Sequence, residues 1–281
     1  MSGSTKAQAA HSLPLRLLVW AAGALVIALS LFVVAYILVR GIPQLNAGLF
    51  SLEHTEGSSS VIPALANTLF VLCATVAVAL PVGTGAAVYL SEYARSGGLI
   101  VRVIRIALQT LSLIPSIVYG LFGFLFFATF LRWGFSLLSG CCTLALMILP
   151  VIERASEEAL RSVPQGLREG SFALGASKVR GVFCVVLPAA WPGIASGVTL
   201  AIGRAIAESA ALIYTAGTVA RVARPTESGR TLAVHLWALW SEGGANESSW
   251  AAALVLMVVV LALNFASSKL EKLVARRGLV P

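Results

Sequence analysis

The sequence predicts an all-α membrane protein of six transmembrane helices with both termini in the cytoplasm. Three observations carry that prediction. Of its 281 residues, 58% are hydrophobic and only 11% are charged, less than half the roughly 25% charge of a soluble domain. The apolar residues gather into six blocks, at about 17–39, 64–90, 106–130, 137–152, 192–218 and 249–266, most of them near the ~20 residues that cross a bilayer as a helix. Lys and Arg are distributed unevenly between the connecting segments: with both ends inside, 14 fall on the cytoplasmic side, 5 on the outer side, and Arg204 within the membrane. That is the bias expected of cytoplasmic loops.

Each element follows in order. Residues 1–16 form a short cytoplasmic segment carrying Lys6 and Arg16. The block at 17–39 exceeds the h-region of a cleaved signal peptide, about 7–15 residues, and runs into Arg40-Gly41 without a small-x-small site, so it reads as an uncleaved anchor helix. An outer loop, 40–63, leads to the main membrane unit, 64–268. Its third block, 106–130, is expected to be one span. Its fourth, 137–152, is the shortest and ends near Pro150. The cytoplasmic loop of about 153–191 is not featureless. ERASEEALRSV (153–163) has helical period, Pro164 and Gly166 break it, the helix resumes over 167–186, and Leu187-Pro188 is expected to end it. The small residues Gly170, Ser171, Ala173, Gly175 and Ala176 are expected on an exposed face that a partner approaches closely. A long outer loop at 219–248 and a cytoplasmic tail at 269–281 complete the chain.

Several function classes drop out. The formal charge of +8 forms no basic stripe interleaved with aromatics, so nucleic acid is not a partner. Cys73, Cys141, Cys142 and Cys184 make no C-x-x-C, and His11, His54 and His235 have no metal spacing. None of the four lysines follows a glycine, so there is no phosphate-binding Walker A loop. The chain contains no aspartate, which removes an aspartyl-phosphate mechanism and a Walker B residue. Gly83-x-Gly85 lies in an apolar block with no preceding strand and belongs to helix packing.

The cytoplasmic loop carries a resemblance. Glu169, Gly170 and Ser171 are followed after three residues by Gly175, and after nine more by Val185-x-Leu187-Pro188. This resembles the E-A-A, three residues, G, nine residues, I-x-L-P loop of ABC importer permeases, with small residues in place of both alanines and Val in place of Ile. The stretch 163–212 is similar to the phosphate importer permeases of the PstA and PstC type. Their fifth membrane helix carries R-A-x-G-E-[ST]-A, and here Arg204-Ala205-Ile206-Ala207-Glu208-Ser209-Ala210 stands at that place, with Ala207 for the glycine. TLAVHLWALWSEG (231–243) is similar to a segment before the last helix of the PstA type, which favours that member of the pair. The resemblance implies a type I, MetI-like permease fold and a non-catalytic subunit with no cofactor of its own. It implies ATP and Mg on two PstB-like ATPase subunits, a PstC-like second permease, a PstS-like phosphate-binding protein, and the cell membrane of a bacterium. It implies coupling to the ATPase through Glu169, Gly170, Ser171, Gly175, Ala176, Ser177, Leu187 and Pro188.

Arg204, Glu208 and Ser209 are the candidate substrate-path residues. An isolated charge at mid-membrane costs about 2.5–3.5 kcal/mol on insertion scales, and such groups usually face a bundle interior or a wet cavity. Two readings stand side by side. Arg204 and Glu208 neutralise each other at i, i+4 or pair across to other helices, or they line the passage of an anion, for which arginine's permanently charged, two-pronged fork is suited. Another oxyanion, molybdate or sulfate, is the rival cargo. An ion-coupled secondary transporter is the rival class, although no convincing internal repeat accompanies it.

Overall fold

The computed structural model describes residues 4–51, 60–94, 98–243 and 247–276, and they are overwhelmingly helical. Helix α1 (Ser4–Gly41) takes in the anchor block and most of the segment before it. Helix α2 (Ile62–Val88) starts on Pro63, whose missing N–H is harmless in a first turn, and continues into a π turn at Tyr89–Tyr93. Helices α3 (Leu99–Leu113) and α4 (Ser116–Gly123, extended by a π segment to Phe130) follow. Helix α5 (Leu137–Ser162) opens on Ser136, whose Oγ accepts from the Ser139 N–H at 3.2 Å. Next come α6 (Gln165–Ala173), α7 (Lys178–Gly181) and α8 (Leu187–Ile206), the last two joined through a π turn at Val182–Val186. Helices α9 (Ala210–Thr215), α10 (Leu232–Gly243) and α11 (Glu247–Arg276) complete the order.

The bundle is organised around α5, most of which is buried. Leu137, Leu144, Ile148 and Ile152 of α5 meet Val71 and Ala79 of α2 and Ala201 and Ala205 of α8 in the main core. A reciprocal pair of bonds sets α2 against α5: Thr75 Oγ1 donates to the Cys141 carbonyl at 3.3 Å, and Cys141 Sγ to the Val71 carbonyl at 3.7 Å. On the other flank α8 packs backbone-close. A Cβ on Gly193 would lie 2.7 Å from Cβ of Ala159, and one on Gly197 would lie 2.2 Å from Cβ of Ala155. Four-residue spacing of small residues on both helices makes that seam, the usual device of membrane helices that must approach closely. Helix α1 stands at the edge on α11, where Tyr36 meets Trp250 edge-on at 5.3 Å and Gly41 fits under Leu254. Its remaining apolar surface is exposed, as a lipid-facing helix requires.

The opposite end from α6 is closed by the strap 216–231. Asn67 Nδ2 donates to the carbonyls of Arg221 (2.8 Å) and Arg230 (3.1 Å), and its Oδ1 accepts from the Ala223 N–H at 3.1 Å. The first free N–H groups of α5, on Leu137 and Leu138, donate to the strap carbonyls of Glu227 and Pro225, meeting the need that every helix start leaves.

Four sequence expectations are corrected. The third block is not one straight span: α3 and α4 meet at 104°, because Ile114 is driven to extended backbone ahead of Pro115. The fourth span does not end near Pro150. It runs unbroken through 153–163 to Ser162, so that stretch is the continuation of α5 and not a separate surface helix. Leu187-Pro188 does not stop the following helix. The π turn just before it opens the ladder to i, i−5 bonds, as the Leu187 N–H to Val182 carbonyl shows, and the wider turn accommodates the proline ring. Twelve residues of the outer loop expected at 219–248 form the helix α10. Among the described residues, five helices are long and apolar enough to cross a membrane, or six if the bent α3–α4 pair counts as one span.

Candidate functional site

The fifth span is broken at the residues singled out as a substrate path. Helix α8 ends at Ile206, Ala207 and Glu208 leave the helical ladder, and α9 restarts at Ala210 behind Ser209. Arg204 and Glu208 are therefore not i, i+4 neighbours on one helix, and the expectation that they neutralise each other that way is corrected. Among the described residues no salt bridge joins them. Each charge sits instead at a helix end of opposite partial charge. Arg204 lies in the last turn of α8, where free carbonyls gather, and the Glu208 carboxylate accepts from the Ala211 N–H of α9 at 3.2 Å. Ser209 occupies the cap position of α9, its carbonyl accepting from Ile213 N–H at 3.0 Å and its hydroxyl making no cap bond.

Neighbouring helices hold the break in place. A Cβ on Gly120 would lie 2.8 Å from Cα of Ala211, and one on Gly123 would clash with Thr143 and Thr215, so α4 lies directly on the α9 backbone. Gly203 faces Asn264 on α11, whose Oδ1 would be 3.4 Å from an added Cβ. Asn264 lies inside the apolar stretch Ser248–Lys269, so the break is at membrane depth. Irregular backbone there is tolerated only when covered by protein or lining a wet cavity.

A cleft lies next to the break and takes in Arg204, while Ala207, Glu208 and Ser209 are not among its lining residues. It measures about 1080 Å³ and opens between α5, α8 and α11, with Arg204, Asn264, Thr199, Ser196, Ser162 and Glu158 among its lining residues. Because Gly193 opposes Ala159 and Gly197 opposes Ala155, α5 and α8 run antiparallel. Continuing that register, Ser162 and Arg204 lie towards opposite ends of the cleft lining, roughly 20 Å apart along the helices at 1.5 Å per residue. Arg204 is exposed into this space. Asn264 was overlooked in the sequence, although a lone amide in the apolar run 249–266 is the kind of polar group that marks a passage.

The second candidate region projects from the end of α5. Every residue of α6 is exposed except Ser171, which is buried, and Arg168, which is half-buried. Gly175 is the reason the element turns where it does. At φ +80° it takes the left-handed conformation that terminates α6, with its N–H donating to the Phe172 carbonyl and the Ala176 N–H to the Ser171 carbonyl. That is a Schellman ending. Ser177 then caps α7, its Oγ accepting from the Arg180 N–H at 3.4 Å. Glu169, Gly170 and Ala173 stand on the open surface beside Phe172, Leu174 and Val179, an apolar projection suited to a protein groove. Ser171 departs from the expected exposed set: it is buried, its hydroxyl donates to the Arg168 carbonyl at 2.8 Å, and it faces Gly181. Leu187 and Pro188 are half-buried at the start of α8, away from the tip.

Comparison with known proteins agrees with this arrangement. The family model described as "Binding-protein-dependent transport system inner membrane component" matches residues 79–277. The chain is 33% identical to the probable ABC transporter permease protein YqgI of Bacillus subtilis, over 90% of this chain and 92% of that one. It is 34% identical to the phosphate transport system permease protein PstA 1 of Mycobacterium tuberculosis, over 80% of this chain and 73% of that one. Among solved structures, an inward-facing form of the MetNI methionine ABC transporter aligns at a TM-score of 0.57 with 22% identity, covering 85% of this chain and 96% of that chain. A bacterial alginate ABC transporter aligns at 0.60 with 15% identity, covering 88% and 95%. These two likenesses establish the fold.

Proposed function

We propose that inorganic phosphate is the cargo of this chain, which belongs to the binding-protein-dependent transport system inner membrane component family and is a permease subunit of an ABC importer. The observation that carries the proposal is Arg204, set free of Glu208 by the helix break and exposed in a cleft at membrane depth. A guanidinium stays charged at any physiological pH and forks onto two oxygens of a tetrahedral anion. Its setting tempers the attraction. The carbonyl end of α8 and the nearby Glu208 both oppose an anion, so the site holds phosphate only briefly. Passage requires that, because a site that binds too well does not conduct. Relatives named as phosphate permeases support the choice of cargo.

The exposed α6–α7 projection docks on an ATPase subunit. Two such subunits, PstB-like, carry ATP and Mg, a PstC-like permease covers the open side of the cleft, and a PstS-like protein delivers phosphate to the strap end. ATP closes the ATPase pair, the projection moves, and the cleft opens outward; hydrolysis resets it. Glu169 and Gly170 face the ATPase, and Gly175, Ala176 and Ser177 shape the element that does so.

The test is phosphate uptake by cells that lack other phosphate importers. Arg204→Gln and Arg204→Ala are expected to lower uptake about tenfold or more, equivalent to ~1.4 kcal/mol of barrier, at normal membrane levels. Arg204→Lys is expected to retain part of it. Wild-type uptake in all three variants removes Arg204 from the passage. Competition by sulfate or molybdate as effective as by phosphate favours the wider oxyanion reading.

A further inference from the structure

Arg168 reaches three acceptors on two other helices. Its Nε and Nη2 donate to Glu92 Oε1 at 3.1 and 2.8 Å, its Nη2 also to the Leu160 carbonyl at 2.7 Å, and its Nη1 to the Val163 carbonyl at 2.6 Å. Glu92 belongs to the π turn that ends α2, while Leu160 and Val163 are at the end of α5. One guanidinium on α6 therefore ties together the ends of α2 and α5. A second tie runs parallel to it: Lys178 Nζ of α7 lies 5.0 Å from the ring centroid of Tyr93, in the same π turn. Both ties join the projecting element to one short segment, Tyr89–Tyr93.

The chemistry suits a joint that bears force. The Arg168–Glu92 pair is largely withdrawn from solvent, with side chains 20% and 10% exposed, so it is less screened than a surface pair. The carbonyls of Leu160 and Val163 lie at a helix C-terminus, which carries negative partial charge and favours a cation, and Leu160 also accepts from the Val163 N–H at 3.4 Å. Apart from Arg168 and the small Ser171, which sits against Gly181, α6 shows only exposed side chains, and Arg168 is the residue of α6 that bonds to both α5 and the turn ending α2. Helices α2 and α5 are packed together along their length through the main core. A displacement of α6 passed through Arg168 is therefore delivered to both at once. The π turn adds a local reason: one extra residue in the turn is a common device at functional positions, where it redirects side chains.

We infer that Arg168 and Glu92 are positioning residues for coupling: the pair is the joint through which movement of the α6–α7 projection is passed to α2 and α5, with Lys178 on Tyr93 as its auxiliary. The inference rests on the projection being the ATPase-docking element.

The experiment uses the whole importer, co-expressed and reconstituted into liposomes, with Glu92→Gln, Arg168→Gln, the double variant and Arg168→Lys. ATPase co-purification, ATP hydrolysis, its stimulation by the binding protein, and phosphate moved per ATP are measured together. The two Gln variants are expected to keep the ATPase and to hydrolyse ATP within about twofold of wild type. Phosphate per ATP and stimulation by the binding protein fall about tenfold, a loss of ~1.4 kcal/mol of coupling. The double variant is no worse than the worse single, because both changes break one joint. Arg168→Lys, which keeps charge but loses the fork, falls between. Unchanged coupling overturns the inference, as do losses that multiply in the double variant, or loss of the ATPase itself from the single variants, which would make the pair a matter of docking. A wild-type complex that shows stimulated hydrolysis without moving phosphate refutes the cargo instead and leaves the joint to be judged on stimulation. A wild-type complex that retains no ATPase refutes the docking reading and the joint with it.

Discussion

Gly197→Ala adds one methyl group to the seam between α5 and α8. Its Cβ would lie 2.2 Å from Cβ of Ala155, whereas carbon atoms rest at about 3.5–4.0 Å. The contact is between two backbone-anchored atoms, so neither swings away. The helices must part by about 1.5 Å at that level, or the strain must be absorbed in place. Overpacking of this kind costs about 1–3 kcal/mol, less whatever α8 gains in helix propensity by exchanging Gly for Ala, about 1 kcal/mol at most. In a domain of this size the net loss corresponds to a fall in Tm of several degrees, about 2–4 °C per kcal/mol. The assay is thermal unfolding in detergent, followed by tryptophan fluorescence, with two companions. Gly85→Ala, also within a helix but with nothing within 4 Å of the added Cβ, is expected to leave Tm unchanged or raise it. Ala155→Gly combined with Gly197→Ala moves the methyl across the seam and is expected to recover most of the loss. Equal effects of the Gly197 and Gly85 changes would refute the claim that this seam is backbone-close, as would a double variant no more stable than Gly197→Ala alone.

Asn67→Ala leaves two strap carbonyls and one strap N–H without their partner. At about 1 kcal/mol per bond it should cost roughly 2–4 kcal/mol, visible as faster amide hydrogen exchange confined to 217–231. Gly175→Val forces a β-branched residue into the left-handed region at φ +80°. It is expected to weaken ATPase co-purification while Tm falls by no more than a few degrees, since α6 contributes little to the core. Glu208→Gln keeps an oxygen for the Ala211 N–H and is expected to leave the fold intact. Uptake unchanged by it would remove the glutamate's charge from the transport step.

Much of the design was legible in the sequence, in ways with physical causes. Six apolar blocks are conspicuous because a bilayer demands length and lack of charge. Gly175 stood out in the coupling pattern, and the Schellman ending supplies the reason for glycine at that place. The break after Ile206 was not legible. Arg204-Ala-Ile-Ala-Glu208 is built of good helix formers, with no proline or glycine to mark an interruption, and i, i+4 spacing invites an ion pair. What overrides local preference is tertiary: Gly120 and Gly123 bring α4 onto the backbone of α9, far away in sequence. Pro150 and Pro188 misled in the opposite direction. Both lie within helices, Pro188 because the preceding π turn accommodates its ring. Glu92 and Arg168 carried no signal at all, since they are 76 residues apart and meet only once α2 and α5 are packed.

The central claim is tested most directly by the purified importer in liposomes, with ATP on the side of the α6–α7 projection, the binding protein on the strap side, and labelled phosphate and sulfate offered in turn. The account predicts ATP-dependent accumulation of phosphate over sulfate, falling about tenfold or more with Arg204→Gln in place. Accumulation of sulfate equal to that of phosphate, or phosphate uptake indifferent to Arg204, would contradict it.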